Sequence, residues 1–350
     1  MKNILVTGGC GFIGSNFIHY LINKNDLSHI VNLDKLTYAG NISNLSQVSN
    51  SRHTLIEGDI CDSDLVKSLF DKYEFESVIH FAAESHVDRS IDGPSNFIHT
   101  NIVGTLNLLE HARSYFSKTK NEDFRFLHVS TDEVYGSLDD GGKFLESTPY
   151  NPSSPYSASK AGSDHLVRAW NRTYDLPTLI TNCSNNYGPF QFPEKLIPLI
   201  IINCLNHKPL PVYGDGTNVR DWLFVKDHCN AISSVLNNGK IGQTYNIGGN
   251  NEIKNIDVVK TICSILDEVL PREDGRSYSE LINFVKDRPG HDFRYAINAE
   301  KIKMELEWVP KESFDSGIRE TIHWYLDNRS WWQPIQDKTY RQERLGVIQP

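Results

Sequence analysis

This sequence of 350 residues lacks several features that mark particular classes of protein. Its six cysteines form no Cys-x-x-Cys pair and no Cys/His cluster with zinc spacing, which argues against a zinc site and a disulfide framework. No window approaches about 18 consecutive apolar residues, which excludes a typical membrane-spanning helix. Met1-Lys2-Asn3 leads directly into an apolar stretch, so we expect no signal peptide. These absences predict a cytoplasmic protein with free thiols and no metal.

An excess of basic residues is also missing. The chain has 35 Lys and Arg against 44 Asp and Glu, for a formal net charge of −9. This balance argues against a nucleic-acid partner and against an anionic membrane surface. The hydrophobic share of 39% and the charged share of 23% are typical of a globular enzyme. At about 150 residues per domain, the length predicts two domains.

The most informative stretch is 130–136, which reads STDEVYG. It follows an apolar run at 124–129 that is typical of a buried parallel strand. Thr131, Asp132 and Glu133 therefore leave the carboxyl end of that strand together, and ligands of open α/β sheets bind at this edge. Two neighbouring carboxylates repel, so one can keep its proton while the other loses it. The stretch could supply one acid and one base, although a solvated turn would also fit the seven residues alone.

The N-terminal residues predict a dinucleotide site. A short apolar strand at 4–6 leads into 8–14, which read GGCGFIG, and a helix is expected over 12–23. Glycines let the backbone approach a pyrophosphate at the N-terminus of that helix. A second strand at 30–33 ends at Asp34, where a carboxylate would accept hydrogen bonds from an adenosine ribose. Because it would repel a 2′-phosphate, we expect NAD rather than NADP.

Strand and helix patterns then alternate, which predicts a Rossmann-type doubly wound parallel sheet. Further strands are expected at 54–57, 78–81, 124–129 and 177–182, and helices at 65–73 and 96–116. We predict an NAD-binding domain over 1–187, with later segments near 222–250 returning to it. A smaller mixed α/β domain over 188–330 would bind the substrate, and 331–350 would form a polar, loosely packed tail.

Residues 154–160 read SPYSASK and should open the next helix, with Pro155 at its first position. Tyr156 and Lys160 are four residues apart, so both lie on one helix face. A nearby ammonium should lower the pKa of the tyrosine and make it a base for an alcohol proton. The helices 96–116 and 156–174 carry more apolar surface than one sheet face can cover, which predicts a homodimer with a four-helix interface.

These segments together resemble the extended short-chain dehydrogenase/reductase superfamily, and within it the dTDP-glucose 4,6-dehydratase family. The resemblance runs from residue 1 to about 326. It is carried most specifically by 34–41, 82–90, 130–136, 182–189, 192–198 and 287–292. The chain departs from the family in a short, glycine-rich insert between Gly136 and Pro152, where a longer loop is common.

The resemblance implies NAD as cofactor and dTDP-glucose as substrate. With the glycine turn, the implied cofactor-binding residues are Gly8, Gly11, Phe12, Ile13, Gly14, Asp34, Lys35, Leu36, Thr37, Asp59, Ile60, Ala82, Ala83, Thr100, Tyr156, Lys160 and Asn186. The implied substrate-binding residues are Ser85, Thr131, Asn185, Lys195, Leu196, Pro211, Val212, Tyr213, Arg220, Asn255, Asp287, Arg288, Pro289, Gly290 and His291.

The implied catalytic residues are Thr131, Asp132, Glu133, Tyr156 and Lys160. Tyr156 and Thr131 would assist oxidation at C4 of the sugar, Glu133 would remove the C5 hydrogen, and Asp132 would protonate the departing 6-hydroxyl. A nucleotide-sugar 4-epimerase or a decarboxylase on the same scaffold is an alternative, but an epimerase needs no acid/base pair beside its tyrosine. A binding protein that holds NAD without chemistry would not need Tyr156 and Lys160.

Overall fold

The computed structural model describes residues 3–24, 28–49, 51–139, 141–287 and 290–338. The strands are β1 Asn3–Thr7, β2 His29–Asp34, β3 His53–Glu57, β4 Phe75–His80, β5 Arg125–Thr131, β6 Thr178–Cys183, β7 Asn185–Tyr187, β8 Leu210–Tyr213, β9 Val219–Phe224, β10 Thr244–Ile247, β11 Glu252–Lys254 and β12 Ile282–Val285. The helices are α1 Phe12–Asn23, α2 Ser63–Lys72, α3 Val87–Asp92, α4 Pro94–Phe97, α5 Thr105–Thr119, α6 Pro155–Tyr174, α7 Leu196–Leu205, α8 Val225–Asn238, α9 Asn255–Val269, α10 Glu300–Leu306, α11 Phe314–Asp327 and α12 Arg329–Lys338.

Seven strands form the main sheet in the order β10-β6-β5-β4-β1-β2-β3. All six neighbouring pairs are parallel. The inner strands are almost wholly buried, as a parallel sheet covered by helices on both faces requires. The predicted Rossmann-type fold class is confirmed. The strand order reverses between β1 and β4, which places the carboxyl ends of the strands around one crevice.

The residues after β6 build a second layer beside this crevice. The short sheets β11-β9-β7 and β12-β8 pack with α7, α9 and α11. Their core contains Tyr187, Trp222 and Phe224, all buried. β10 then returns to the main sheet and pairs with β6. The side of the crevice opposite the glycine turn is therefore made by residues far along the chain.

The prediction of one continuous helix over 96–116 is wrong. The chain forms α4, then a π-helix over Ile98–Gly104, and then α5. A π-turn adds one residue to the helical turn and shifts which side chains face inward. Asn101 thereby becomes buried, donating to the Glu84 carbonyl at 3.0 Å and to Ser159 Oγ at 2.8 Å. Apolar spacing cannot reveal this shift, because the apolar residues on either side keep their helical pattern.

α7 accommodates Pro198 as its third residue, where the backbone N–H has no partner within the helix. One further prediction from the sequence is corrected. The expected loose tail is wrong for 331–338, which belongs to α12 and buries Trp332 and Ile335. The remainder of the tail, 339–350, lies outside the described residues.

All six cysteines are free, and five of them are buried. Burial raises the pKa of Cys10 to about 12 and that of the half-buried Cys61 to about 11, so these thiols are neutral. Across the described ranges, no helix is long and apolar enough to cross a membrane.

Candidate active site

A cavity of about 310 Å³ lies at the carboxyl end of the main sheet, where the strand order reverses. It is lined by most of the residues that the sequence assigned to a cofactor or to catalysis. These are Gly8, Gly11, Phe12, Ile13, Gly14, Asp34, Lys35, Thr37, Asp59, Ile60, Ala82, Ala83, Thr100, Thr131, Asp132, Glu133, Tyr156, Lys160 and Asn186. Of the predicted substrate-binding residues, Ser85, Asn185 and Lys195 also line it.

Other predicted residues do not line this cavity. They are Leu36, Leu196, Pro211, Val212, Tyr213, Arg220, Asn255, Asp287, Gly290 and His291. Arg288 and Pro289 lie outside the described residues. Several lining residues were not predicted from the sequence, among them Glu84, Ser130, Cys183, Gln191 and Glu194. Three of these five directly follow or precede a predicted site residue, and this adjacency was the available signal.

The glycine turn forms a cradle that side chains would fill. Gly8 has a φ of 71°, a left-handed conformation that favours glycine. A Cβ on Gly14 would lie 2.3 Å from the Gly8 carbonyl oxygen, so any larger residue would push the helix away from the turn. α1 begins directly after Gly11, which has no side-chain cap. Its first N–H groups therefore face a space of the kind that holds a phosphate.

Asp34 is fixed at the end of β2 by two backbone N–H groups. Its Oδ2 accepts from the Cys10 N–H and its Oδ1 from the Leu36 N–H, each at 2.8 Å. Burial raises the pKa of Asp34, while these two hydrogen bonds act in the opposite direction. Leu36 thus supports the site through its backbone although its side chain lies outside the cavity. Beyond Asp34, Lys35 forms an ion pair with Asp59 at 2.7 Å.

The acid pair occupies a 3-10 turn, Asp132–Tyr135, that Thr131 caps by accepting from the Glu133 N–H at 3.3 Å. Asp132 is 1% exposed, and its Oδ2 has no hydrogen-bond partner among the described residues. Burial, then the charge of Glu133 and that of Asp221, raises the pKa of Asp132 well above its ordinary value. Glu133 is only half-buried. The two neighbouring carboxyl groups therefore differ in burial, as the different environments of a general acid and a general base require.

Tyr156 and Lys160 lie on the first two turns of α6, which Ser154 begins with a capping box and Pro155 at the first position. The expectation that Lys160 lowers the pKa of Tyr156 is not met. Burial, followed by the charge of Glu133, raises the pKa of Tyr156, while a hydrogen bond with Thr131 lowers it. Lys160 instead donates to the Val129 carbonyl at 3.0 Å and lies 3.4 Å from His128 Nε2. Sharing a helix face did not determine where its ammonium points.

The predicted residues outside the cavity form a second group beside it. The Arg220 guanidinium donates to the carbonyls of Asp292 and Phe293 at 2.9 and 3.2 Å and stacks over Tyr295 at 4.3 Å. His291 Nδ1 lies 2.6 Å from Asp287 Oδ1. The charge of Arg220 also acts on Asp132, so this group borders the acid pair.

The parallel sheet, the glycine turn, Asp34 and the Tyr156–Lys160 helix define an NAD-dependent enzyme of the short-chain dehydrogenase/reductase type. The profile described as GDP-mannose 4,6 dehydratase matches residues 5–321. The dTDP-glucose 4,6-dehydratase of Neisseria meningitidis serogroup B is 58% identical over 99% of both chains. The enzyme of the same name, numbered 1, from Escherichia coli K12 is 57% identical over 97% of this chain and 96% of its own.

Solved structures agree with these relatives. The dTDP-glucose 4,6-dehydratase of Bacillus anthracis in complex with NAD is 46% identical, with a TM-score of 0.85 over 96% of this chain and all of that chain. The Streptomyces venezuelae enzyme, also with NAD, is 45% identical, with a TM-score of 0.87 over 95% of this chain and all of that chain. The chain belongs to the dTDP-glucose 4,6-dehydratase family of NAD-dependent lyases. The predicted family, enzyme class and cofactor are confirmed.

Proposed function

We propose that the chain converts dTDP-glucose into dTDP-4-keto-6-deoxyglucose and water. The observation that supports this reaction most directly is the buried Asp132 beside the half-buried Glu133, in one turn that lines the same cavity as Tyr156. An elimination across C5 and C6 needs a base at C5 and an acid at the 6-hydroxyl. A 4-epimerase, such as the Thermotoga maritima enzyme whose structure is 26% identical, needs neither group.

The lining residues fit NAD. The cradle at Gly8 and Gly14 is open to a pyrophosphate, and Asp34 is oriented for ribose hydroxyls. The buried Oδ1 atom of Asn186 has no hydrogen-bond partner among the described residues and can accept from an amide. We assign the lining cofactor residues named above, with the Leu36 backbone, to this site. When bound, NAD⁺ supplies a hydride acceptor and a positive charge, and it is regenerated within each cycle.

The chain's own groups would move the protons. Tyr156, with Thr131 hydrogen-bonded to it, would accept the proton of the 4-hydroxyl as C4 is oxidised. Burial raises the pKa of its phenol, so its phenolate form requires the positive charge that bound NAD⁺ supplies. The resulting ketone acidifies the C5 hydrogen, which Glu133 removes. Asp132, kept protonated by burial, gives its proton to the departing 6-hydroxyl, so water leaves. After the hydride returns to C6, a proton is added at C5 and the 4-ketone remains.

The nucleotide half of the substrate would lie against the second group of residues. β8 and β12 pair side by side, with Tyr213 opposite Val285, two residues before Asp287. The rings of Tyr213 and His291 are 6.2 Å apart at nearly a right angle. Arg220 could contribute bidentate hydrogen bonds to a diphosphate if it exchanged its carbonyl partners. We propose this group, with Pro211, Val212, Leu196 and Asn255, as the nucleotide-binding surface.

Incubating the purified protein with glucose nucleotides that differ in their base tests the proposed function. We expect mass spectrometry to show loss of one water from dTDP-glucose. The glucose nucleotides with other bases should react more slowly or not at all. The denatured enzyme should release NAD and not NADP. An epimerised product of unchanged mass, or net consumption of NAD⁺ with each turnover, would contradict the proposal.

We also propose the two domains predicted from the sequence and a cytoplasmic setting. Separate apolar clusters on the two sides of the crevice support the domains, with one formed mainly by the parallel sheet and the other by α7, α9 and α11. The free, neutral thiols support a reducing compartment.

We further propose a homodimer formed by α5 and α6 of two chains. Ile98 and Val103 on the π-helix are 45% and 40% exposed, and Leu106 at the start of α5 is 36% exposed, an unusual density of apolar side chains on a surface. Light scattering at micromolar concentration should give about twice the chain mass of 39.8 kDa. Val103→Asp should reduce this to one chain mass. Val309→Asp, at a position 50% exposed but far from these helices in sequence, is the control and should leave the mass unchanged.

A further inference from the structure

A buried carboxylate lies beneath the candidate active site. Asp164 is fully buried on α6, one turn after Lys160. Its Oδ2 accepts from Ser130 Oγ at 3.0 Å and from the Tyr150 hydroxyl at 2.8 Å. Its Oδ1 lies 3.2 Å from His128 Nε2. An ionised carboxylate is costly to bury, so its partners on β5 and on the loop before α6 indicate that this charge has a role.

His128 connects this carboxylate to Lys160. The imidazole Nε2 lies 3.2 Å from Asp164 Oδ1 and 3.4 Å from Lys160 Nζ. Burial, and then the charge of Lys160, lowers the pKa of His128 to about 4, so the ring is neutral at physiological pH. One nitrogen of a neutral ring cannot both accept from the ammonium and donate to the carboxylate, so the ring does not bridge them by two hydrogen bonds. The two distances nevertheless bring Asp164 Oδ1 close to Lys160 Nζ, with no charge on the ring between them.

The titratable groups around Lys160 come from five elements. α6 contributes Tyr156 and Asp164, β4 and β5 contribute His80 and His128, β6 contributes Cys183, and the turn after β5 contributes Asp132 and Glu133. Burial raises the pKa of the Cys183 thiol and lowers that of the His80 ring. The charges that act on Lys160 itself are those of Asp164 and Cys183. Since that thiol is neutral, Asp164 is the anion of the pair.

We propose that Asp164 is a positioning residue that keeps Lys160 charged and holds the carboxyl end of β5 in place. It does so on two sides: its negative charge lies close to the Lys160 ammonium beside His128, and Ser130 links it to Thr131 and the acid pair. Asn182 strengthens the second link, because it donates to the Thr131 carbonyl at 2.9 Å. This inference rests on the proposed role of Lys160 in the oxidation step.

The direction of the expected pH effect follows from the sign of the charge. Burial lowers the pKa of Lys160 to about 8, and Asp164 opposes that decrease. Removing the negative charge must therefore lower the pKa of Lys160 further. Activity that needs the ammonium is present below this pKa and is lost as the pH rises through it. A neutral residue at 164 should shift the alkaline loss of activity to lower pH.

The test is the pH dependence of kcat/KM for water loss by the intact enzyme from about pH 5 to 10. In Asp164→Asn, the midpoint of the alkaline limb should move down by about one pH unit or more, the usual effect of losing a nearby opposite charge. Tyr150→Phe and Asp164→Glu keep the carboxylate, so their alkaline limbs should match that of the wild type. Bound NAD and the thermal midpoint are measured on every variant.

An unchanged alkaline limb in a folded, NAD-containing Asp164→Asn would overturn the proposal. An equal shift of the alkaline limb in Tyr150→Phe would also overturn the proposal, because a general structural disturbance would then explain both shifts. If Asp164→Asn does not fold, Asp164→Ser supplies the second neutral variant. Failure of both to fold while Asp164→Glu stays active would show that the fold needs the carboxylate, and would also overturn the proposal. A wild type that releases no water from dTDP-glucose would instead refute the proposed function.

Discussion

Tyr156→Phe is expected to lower turnover by about 10²–10⁴, the usual contribution of a positioned acid or base. The change removes only the hydroxyl that is hydrogen-bonded to Thr131. The ring would keep its edge-on contact with Phe97, whose centroid lies 6.3 Å away, so the site should keep its shape. Single-turnover kinetics should show slow oxidation at C4, and substrate affinity measured by calorimetry should change little.

The matched control is Tyr115→Phe. It removes another tyrosine hydroxyl with one hydrogen bond, to the Phe75 carbonyl at 3.0 Å, at a position that does not line the cavity. Its turnover should stay close to that of the wild type. Turnover of Tyr156→Phe within about tenfold of the wild type would mean that another group accepts the 4-hydroxyl proton.

Glu133→Gln is expected to slow removal of the C5 hydrogen by about 10²–10⁴ while oxidation at C4 continues. Glutamine keeps the shape of glutamate but cannot accept the proton, and the substitution leaves Tyr156, Lys160 and the glycine turn unchanged. It also removes the charge that contributes most, after burial, to the raised pKa of Tyr156. Oxidation should therefore not become slower, and the two steps should separate.

Deuterated water gives a direct measurement of the step assigned to Glu133. The wild type should place deuterium at C5 of the product, and Glu133→Gln should do so at the reduced rate of water loss. Glu57→Gln, an exposed glutamate at the end of β3, is the control and should label normally. Wild-type rates of labelling and water loss in Glu133→Gln would move the role of base to another group, with Asp132 the first candidate.

The predicted residues that do line the cavity are mostly those built within single strand–turn–helix units. The glycine turn, Asp34 and the acid pair each follow directly from a strand with an apolar run, so local pattern determines where they lie. The alternation of such units also predicted the parallel sheet. The common edge of the site needed no separate prediction, because parallel strands have all their carboxyl ends at one edge of the sheet.

What the sequence could not predict depends on contacts between distant segments. Glu194 lines the cavity because Arg89, on the other side of the crevice, holds its carboxylate at 2.9 Å. The π-helix at 98–104 depends on how Asn101 bonds to Glu84 and Ser159. The raised pKa of Tyr156 depends on burial by the whole fold and on the direction of the Lys160 side chain. None of these is encoded in residues next to the affected position.

The return of β10 to the main sheet has a consequence for synthesis on the ribosome. β6 ends at residue 183, but its outer partner, β10, begins only at residue 244. Until the intervening chain has been translated, β6 exposes an unpaired row of N–H and C=O groups, and such edges readily pair with strands of other chains. Long-range parallel pairing of this kind also closes slowly. The nascent chain therefore passes through an aggregation-prone stage, in which a chaperone that covers the β6 edge would have its greatest effect.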